Sequence, residues 1–447
     1  LLRAERGSAV AEKEVTVGEG APLEVNLILG SGSLKLSATA KVGEPALTKD
    51  LAWDILGPPD AEGDRKSVAI SYDANPTLTI PAGKYLVRVS FGDATGQAEV
   101  EVKAGEQTEV VISLESGKIK AAASMEAGGT PLETDLAWEV LGEADAEGNR
   151  KSVAISYDAQ PTLSLPAGTY LLTVAHGSAR ANREVTVVAG ETIDVALTLG
   201  AGSLRLSARS AAGAPTLSED LAWNVFGETD SEGNRADVAF SYDANPTLSI
   251  PAGTYLVRVT WGEVKVEQEV IMESGKLKEL DLILSAGTIK ANAIMGEGGS
   301  PVTGSLAWNL LTTEDPEGNR KDAGFSYENE PRFRNPAGKY LLKLVRGSAM
   351  AEVEVAVTPN KETSVTVNLN AGVLKVKSSG EGLWTIFGVP ENGEGELKDL
   401  GFSYESEATF YVPAGKIIVR REQGEKKVEQ EVEIAANKLI EITLQAK

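Results

Sequence analysis

The chain of 447 residues contains no cysteine, a single histidine (His176) and no apolar run near the ~20 residues that cross a bilayer. No disulfide can form, and in a β-rich repeat protein this avoidance fits a bacterial cell envelope or secreted product. Positive charge is short as well. Forty-three Lys and Arg face 65 Asp and Glu, for a net charge of −22, which argues against nucleic acid, a ligand that needs clustered cations. The densest basic patch, Arg420, Arg421, Lys426 and Lys427, lies among glutamates and reads as a solvated hairpin. The acid is spread along the chain, a pattern that favours solubility and mutual repulsion between modules. Sustained spacing at i, i+3, i+4 and i+7 is missing too, so helix content is expected to be close to nil.

What is present is one unit repeated. Pro81-Ala82-Gly83-Lys84-Tyr85 opens an alternating run, and Pro-Ala-Gly recurs at Pro166, Pro251, Pro336 and Pro413. Trp53, Trp138, Trp223, Trp308 and Trp384 keep the same beat. Self-similarity at a fixed period outranks a domain count taken from length. The expected organisation is a fragment (1–30), four repeats (31–115, 116–200, 201–285, 286–370) and a shorter terminal module (371–447) that caps the array.

Within 31–115, period-two segments at 32–38, 51–56, 68–72, 77–80, 85–91, 98–102 and 108–114 are separated by Gly, Pro, Asn and Asp, and read as seven strands. The fold class is therefore all-β: a tandem, elongated array of seven-stranded antiparallel β-sandwich modules. Because the strand number is odd, the chain should enter each module at one pole and leave at the other. Links such as Glu115-Ser116-Gly117 and Ser285-Ala286-Gly287 are too short for flexible tethers. At ~3.3 Å per strand residue, a module is roughly 35–40 Å long and the array near 200 Å. Residues 1–30 match the last three strands of a module, so the natural protein is expected to continue upstream, and Lys447 is expected to be its C-terminus.

Large aromatics within strands are core anchors more often than ligand platforms. Trp53, Trp138, Trp223, Trp308 and Trp384 are assigned to the core, with Tyr85, Tyr170, Tyr255 and Tyr340 after the Pro-Ala-Gly turns. Tyr72, Tyr157, Tyr242, Tyr327 and Tyr404 are placed there too. His176 aligns with Arg6, Phe91, Trp261 and Arg346, each before a hairpin glycine. A position held by such unlike side chains reads as an exposed tip, where Phe91 and Trp261 become candidates for contact with a glycan, a lipid headgroup or a protein.

The string 165–174, Leu-Pro-Ala-Gly-Thr-Tyr-Leu-Leu-Thr-Val, and the run Val-Thr-Val-Val-Ala-Gly-Glu-Thr-Ile-Asp-Val-Ala-Leu-Thr-Leu at 185–199 resemble carboxypeptidase-regulatory-like, transthyretin-like and related Ig-like modules. The resemblance implies tandem β-sandwiches of bacterial envelope or surface proteins. It implies no particular ligand, since such modules serve as spacers, adhesive units and enzyme appendages.

Chemistry has few candidates. With no cysteine and one histidine at a variable tip, no zinc set and no Ser-His or Cys-His pair is expected. The carboxylates fall on repeated turns without the unique facing pair a glycosidase needs. Acid at alternating positions before glycine, in Asp60, Glu62 and Asp64, in Glu143, Asp145 and Glu147, and in Glu228, Asp230 and Glu232, is similar to the first half of a calcium loop; its closing Glu is replaced by Ala154 and Ala239. Calcium is the only cofactor these residues suggest.

The expected function is a non-enzymatic stalk, spacer or scaffold of the bacterial periplasm or cell surface. The alternatives are an adhesin using Phe91 and Trp261, or a subunit that meets an envelope partner through module tips or an upstream region.

Overall fold

The computed structural model describes residues 1–18, 20, 22–390 and 395–445; Lys447 lies outside them. Every regular element among the described residues is a β-strand, so no helix is long and apolar enough to cross a membrane.

The first repeat shows why the sequence folds as it does. Its strands are β3 (Ser31–Thr39), β4 (Leu51–Pro59), β5 (Arg65–Ser71), β6 (Thr77–Pro81), β7 (Gly83–Phe91), β8 (Ala94–Val102) and β9 (Gln107–Ser113), preceded by β1 (Leu2–Arg6) and β2 (Ala9–Lys13). They form a three-stranded sheet, β6-β3-β9, and a four-stranded sheet, β5-β4-β7-β8. Alternation decides the inner faces: Leu34, Leu36, Ala38, Ile55, Ile80, Val87 and Val89 are buried around Trp53. An indole of this kind removes 150–250 Å² from water, about 5 kcal/mol at 25 cal/mol/Å². Trp138, Trp223, Trp308 and Trp384 are equally buried.

One pairing departs from the antiparallel expectation. β3 runs antiparallel to β6 but parallel to β9, with Ser33 beside Gln107 and Thr39 beside Ser113. Entry and exit strands that run parallel and side by side carry the chain from one end of the module to the other.

The protein divides into two compact units, and the division runs through repeat 201–285. The first unit (Leu1–Ser203, Leu248–Gly253, Met272–Leu277) holds β1 to β9 and the two sheets of repeat 116–200. The second (Leu204–Thr247, Thr254–Ile271, Lys278–Lys447) holds the paired three- and four-stranded sheets of 286–370 and of the terminal repeat.

Residues 1–30 give two strands, β1 and β2, where three were expected. The reason lies in the pairing: among the described residues β9 pairs as a strand with β3 of its own module alone, and the fragment has no counterpart of β3. The terminal repeat carries a second correction. Arg421, expected on a solvated hairpin, is fully buried, its guanidinium 4.9 Å from the Trp384 ring centre and donating to the Gly380 carbonyl at 2.8 Å. Burial pulls its pKa below the usual arginine value. Val89, Val174, Val259 and Leu344 occupy this position in the other repeats.

The third correction concerns Tyr72, Tyr157, Tyr242, Tyr327 and Tyr404, which are exposed; Tyr72 is 77% accessible. β5 pairs Ser71 with Trp53 and Ala69 with Ile55. Paired residues share a face, so Ser71 and Ala69 turn inward and Tyr72 turns out.

Candidate functional site

The feature built again and again in this molecule is the junction between repeats, and it has three parts. The first is a residue in the left-handed region: Gly30, Glu115, Gly200, Ser285 and Asn370, with φ between 45° and 62°. Its carbonyl accepts the amide of the next Pro-Ala-Gly alanine, in the pairs Gly30–Ala82, Glu115–Ala167, Gly200–Ala252, Ser285–Ala337 and Asn370–Ala414, at 2.7–2.9 Å. The recurrent motif is thus the receiving half of a junction. Within the module, its tyrosine closes the same turn: Tyr85, Tyr170 and Tyr340 donate to the carbonyls of Pro81, Pro166 and Pro336.

In the second part, the link is tied back to the repeat it leaves. Leu114 and Ser116 donate to Thr39 and Ala40, Leu199 and Ala201 to Ser124 and Met125, Leu284 and Ala286 to Arg209 and Ser210, and Leu369 and Ala371 to Ile294 and Met295. These bonds leave little swivel in a link of three residues. The glycine that follows has a steric cause: at Gly117 or Gly287 a Cβ would overlap the carbonyl oxygen of Val188 or Thr358.

The third part is the hairpin tip. Gly7, Gly92, Gly177, Gly262 and Gly347, all left-handed, abut the strand before the next Pro-Ala-Gly. The following amides donate to Thr79, Ser164, Ser249, Arg334 and Tyr411 carbonyls at 3.0–3.2 Å. Gly424 has the same conformation at φ 63° and meets nothing.

At three of these tips the residue before the glycine, Phe91, Trp261 or Arg346, is buried, whereas Arg6 stays exposed. Phe91 is 5% and Trp261 7% exposed, so neither is the accessible tip aromatic the sequence suggested. A tip is covered by a strand of the following repeat, a contact invisible to local pattern. Lys118 Nζ lies 5.0 Å from the Phe91 ring centre and the Arg334 guanidinium 5.3 Å from that of Trp261. Arg334 also pairs with Asp220. Arg346 stacks at 3.9 Å on Tyr411 and donates to the Thr303 carbonyl. His176 is half-buried at its tip. Burial at the first full tip pushes the Asp93 carboxyl up.

The acidic loops hold themselves. Asp60 Oδ1 accepts the amides of Glu62 and Asp64; Asp145 and Asp230 do the same for Glu147 and Asn149, and for Glu232 and Asn234. Arg65, Arg150 and Arg235 brace the loops by donating to Gly57, Gly142 and Gly227. Among the described residues no three His, Cys, Asp or Glu side chains converge as a metal site requires.

No protein-family model matches the chain and no curated protein matches it in sequence; the resemblance to carboxypeptidase-regulatory-like modules rests on its motifs. Solved structures similar to parts of the chain include the Bacillus anthracis TIE protein (15% identity, 74% of this chain and 73% of that one, TM-score 0.18). Others are a streptococcal ancillary pilin (11%, 57% and 99%, 0.24) and a minor pilin of Streptococcus agalactiae (12%, 37% and 94%, 0.21). At these identities and scores the likenesses carry no functional argument.

Proposed function

We propose that the chain is a non-enzymatic structural spacer of the bacterial envelope or extracellular surface, in which each repeat is fixed to the next by the three-part junction. The observation that carries this reading is the recurrence of the tip contact and of the left-handed link at all five junctions, three in the first unit and two in the second. Independent beads on tethers would need neither. Acid along the array keeps neighbouring copies apart.

The adhesin reading based on Phe91 and Trp261 loses its contact residues to the junctions. An in-phase deletion of 116–200 tests the spacer. It joins Glu115 to Ala201 with the junction chemistry intact, and should shorten the particle seen by electron microscopy by about 35–40 Å, the length of one module. An unchanged length would refute the reading.

A further inference from the structure

Strand β5 is inverted relative to what burial alone would favour. Its inner positions, Ala69 and Ser71, are small, while Ile70 and Tyr72 point to water. Every repeat does this. Serine sits beside the tryptophan (Ser156, Ser241, Ser326, Ser403) and alanine or glycine beside the next inward residue (Ala154, Ala239, Gly324, Gly401). The outward pairs are Ile155 and Tyr157, Phe240 and Tyr242, Phe325 and Tyr327, and Phe402 and Tyr404, all well exposed. Five exposed pairs on inverted strands indicate a demand on the outer face, since buried aromatics would stabilise each module more.

The first repeat shows what the face can hold. Register across β4-β7-β8 sets Ala52, Ser90 and Thr95 in one row, with Tyr72 just past the end of β5 lining the same trough, and Ile70, Asp54, Arg88 and Gln97 in the next row. Small residues beside the tyrosine leave a trough of about 760 Å³ lined by these side chains. Among the described residues Arg88 pairs with no carboxylate, leaving its donors available, while Arg258 at the same place is taken by Glu267. One wall is therefore an aromatic ring and the bordering row a carboxylate and a guanidinium of cancelling charge.

We propose that this outer face binds a neutral polysaccharide, with Tyr72, Tyr157 and Tyr242 as stacking platforms. A pyranose ring has an apolar C–H face and a hydroxyl edge, the same division that the trough presents, and a polymer of such rings can engage Tyr72 and Tyr157 of the first unit together. A net charge of −22 repels polyanions and a second copy of the chain alike, and in the first repeat Asp54 and Arg88, neighbours in the register, offset each other's charge. Ala52, Ala137 and Ala222 stand beside the first three tyrosines with Ser90, Ala175 and Thr260 behind them. In the fifth repeat Leu383 takes the place of that alanine and fills the corresponding space. This goes beyond the spacer reading and can fail without it.

The test is affinity electrophoresis of the full chain in native gels containing hydroxyethylcellulose, glucomannan or dextran, with dextran sulfate as the anionic control. At least one neutral polymer should retard the protein. Tyr72→Ala should weaken retardation about tenfold in Kd, the triple change at Tyr72, Tyr157 and Tyr242 should abolish it, and Tyr404→Ala should leave it unchanged. Melting temperatures should not move, since these rings are exposed. The proposal is overturned by retardation in none of the neutral gels, by retardation in dextran sulfate alone, by equal retardation of the triple variant, or by self-association in light scattering that the triple variant loses.

Discussion

The docked tip can be weighed against its own internal control. Gly347 and Gly424 close equivalent hairpins with φ of 59° and 63°. An added Cβ at Gly347 would sit 2.7 Å from the Tyr411 carbonyl oxygen and 3.1 Å from Tyr411 Cβ, whereas at Gly424 it meets nothing. Gly424→Ala therefore carries only the left-handed strain, about 1–2 kcal/mol. Gly347→Ala carries that strain and also drives off a carbonyl that accepts both Ser348 N–H at 3.0 Å and Ser348 Oγ at 3.2 Å. At about 0.5–1.5 kcal/mol for each hydrogen bond, the docked variant should lose about 1–3 kcal/mol more than the free one. Hydrogen exchange followed by mass spectrometry reads this directly. Peptides covering 344–351 and 407–414 should exchange at least about fivefold faster in Gly347→Ala, while in Gly424→Ala the change stays at its own hairpin. Equal effects would show that the tip contact contributes nothing to the junction.

Other consequences follow from single side chains. Trp53 Nε1 donates to the Asp73 carbonyl at 3.0 Å, whereas Trp138 Nε1 is buried with no partner among the described residues; Trp53→Phe should cost about 1 kcal/mol more than Trp138→Phe in denaturant unfolding, and equal costs would contradict the assignment. Burial raises the hydroxyl pKa of Tyr85, Tyr170, Tyr255 and Tyr340. The unfolded chain then loses these protons first, so their contribution is complete below about pH 10 and falls as pH rises through the folded values. Scanning calorimetry from pH 8 to 11 should show four repeats losing stability while the terminal repeat, with Ile417 at that position, loses less; a uniform loss would refute this. Arg421→Leu removes a buried charge that has no carboxylate partner among the described residues and should stabilise the terminal repeat by about 1–2 kcal/mol, a gain that a lowered melting transition would contradict.

The period, the strands and the tryptophan core were legible because they are local: alternation and turn residues fix a strand, and recurrence fixes the module. The phase of a strand was less legible. Ala69-Ile70-Ser71-Tyr72 alternates whichever face is inward, and only the pairing of Ser71 with Trp53 sends the tyrosine outward. The fate of Phe91 and Trp261 was not local at all, because each is covered through a tip contact with a strand of the next repeat, Asp93 to Ser164 and Glu263 to Arg334. The parallel pairing of β3 with β9 left no sequence signature either, since both strands alternate as an antiparallel pair would. Arg421 was misplaced because its charged neighbours marked a surface, although its alignment with Val89 and Leu344 pointed inward.

Small-angle scattering of the full chain tests the spacer most directly. The array of near 200 Å expected from the strand lengths would give a radius of gyration of about 55–60 Å. A value of about 22 Å, that of a compact globule of this length, would contradict it.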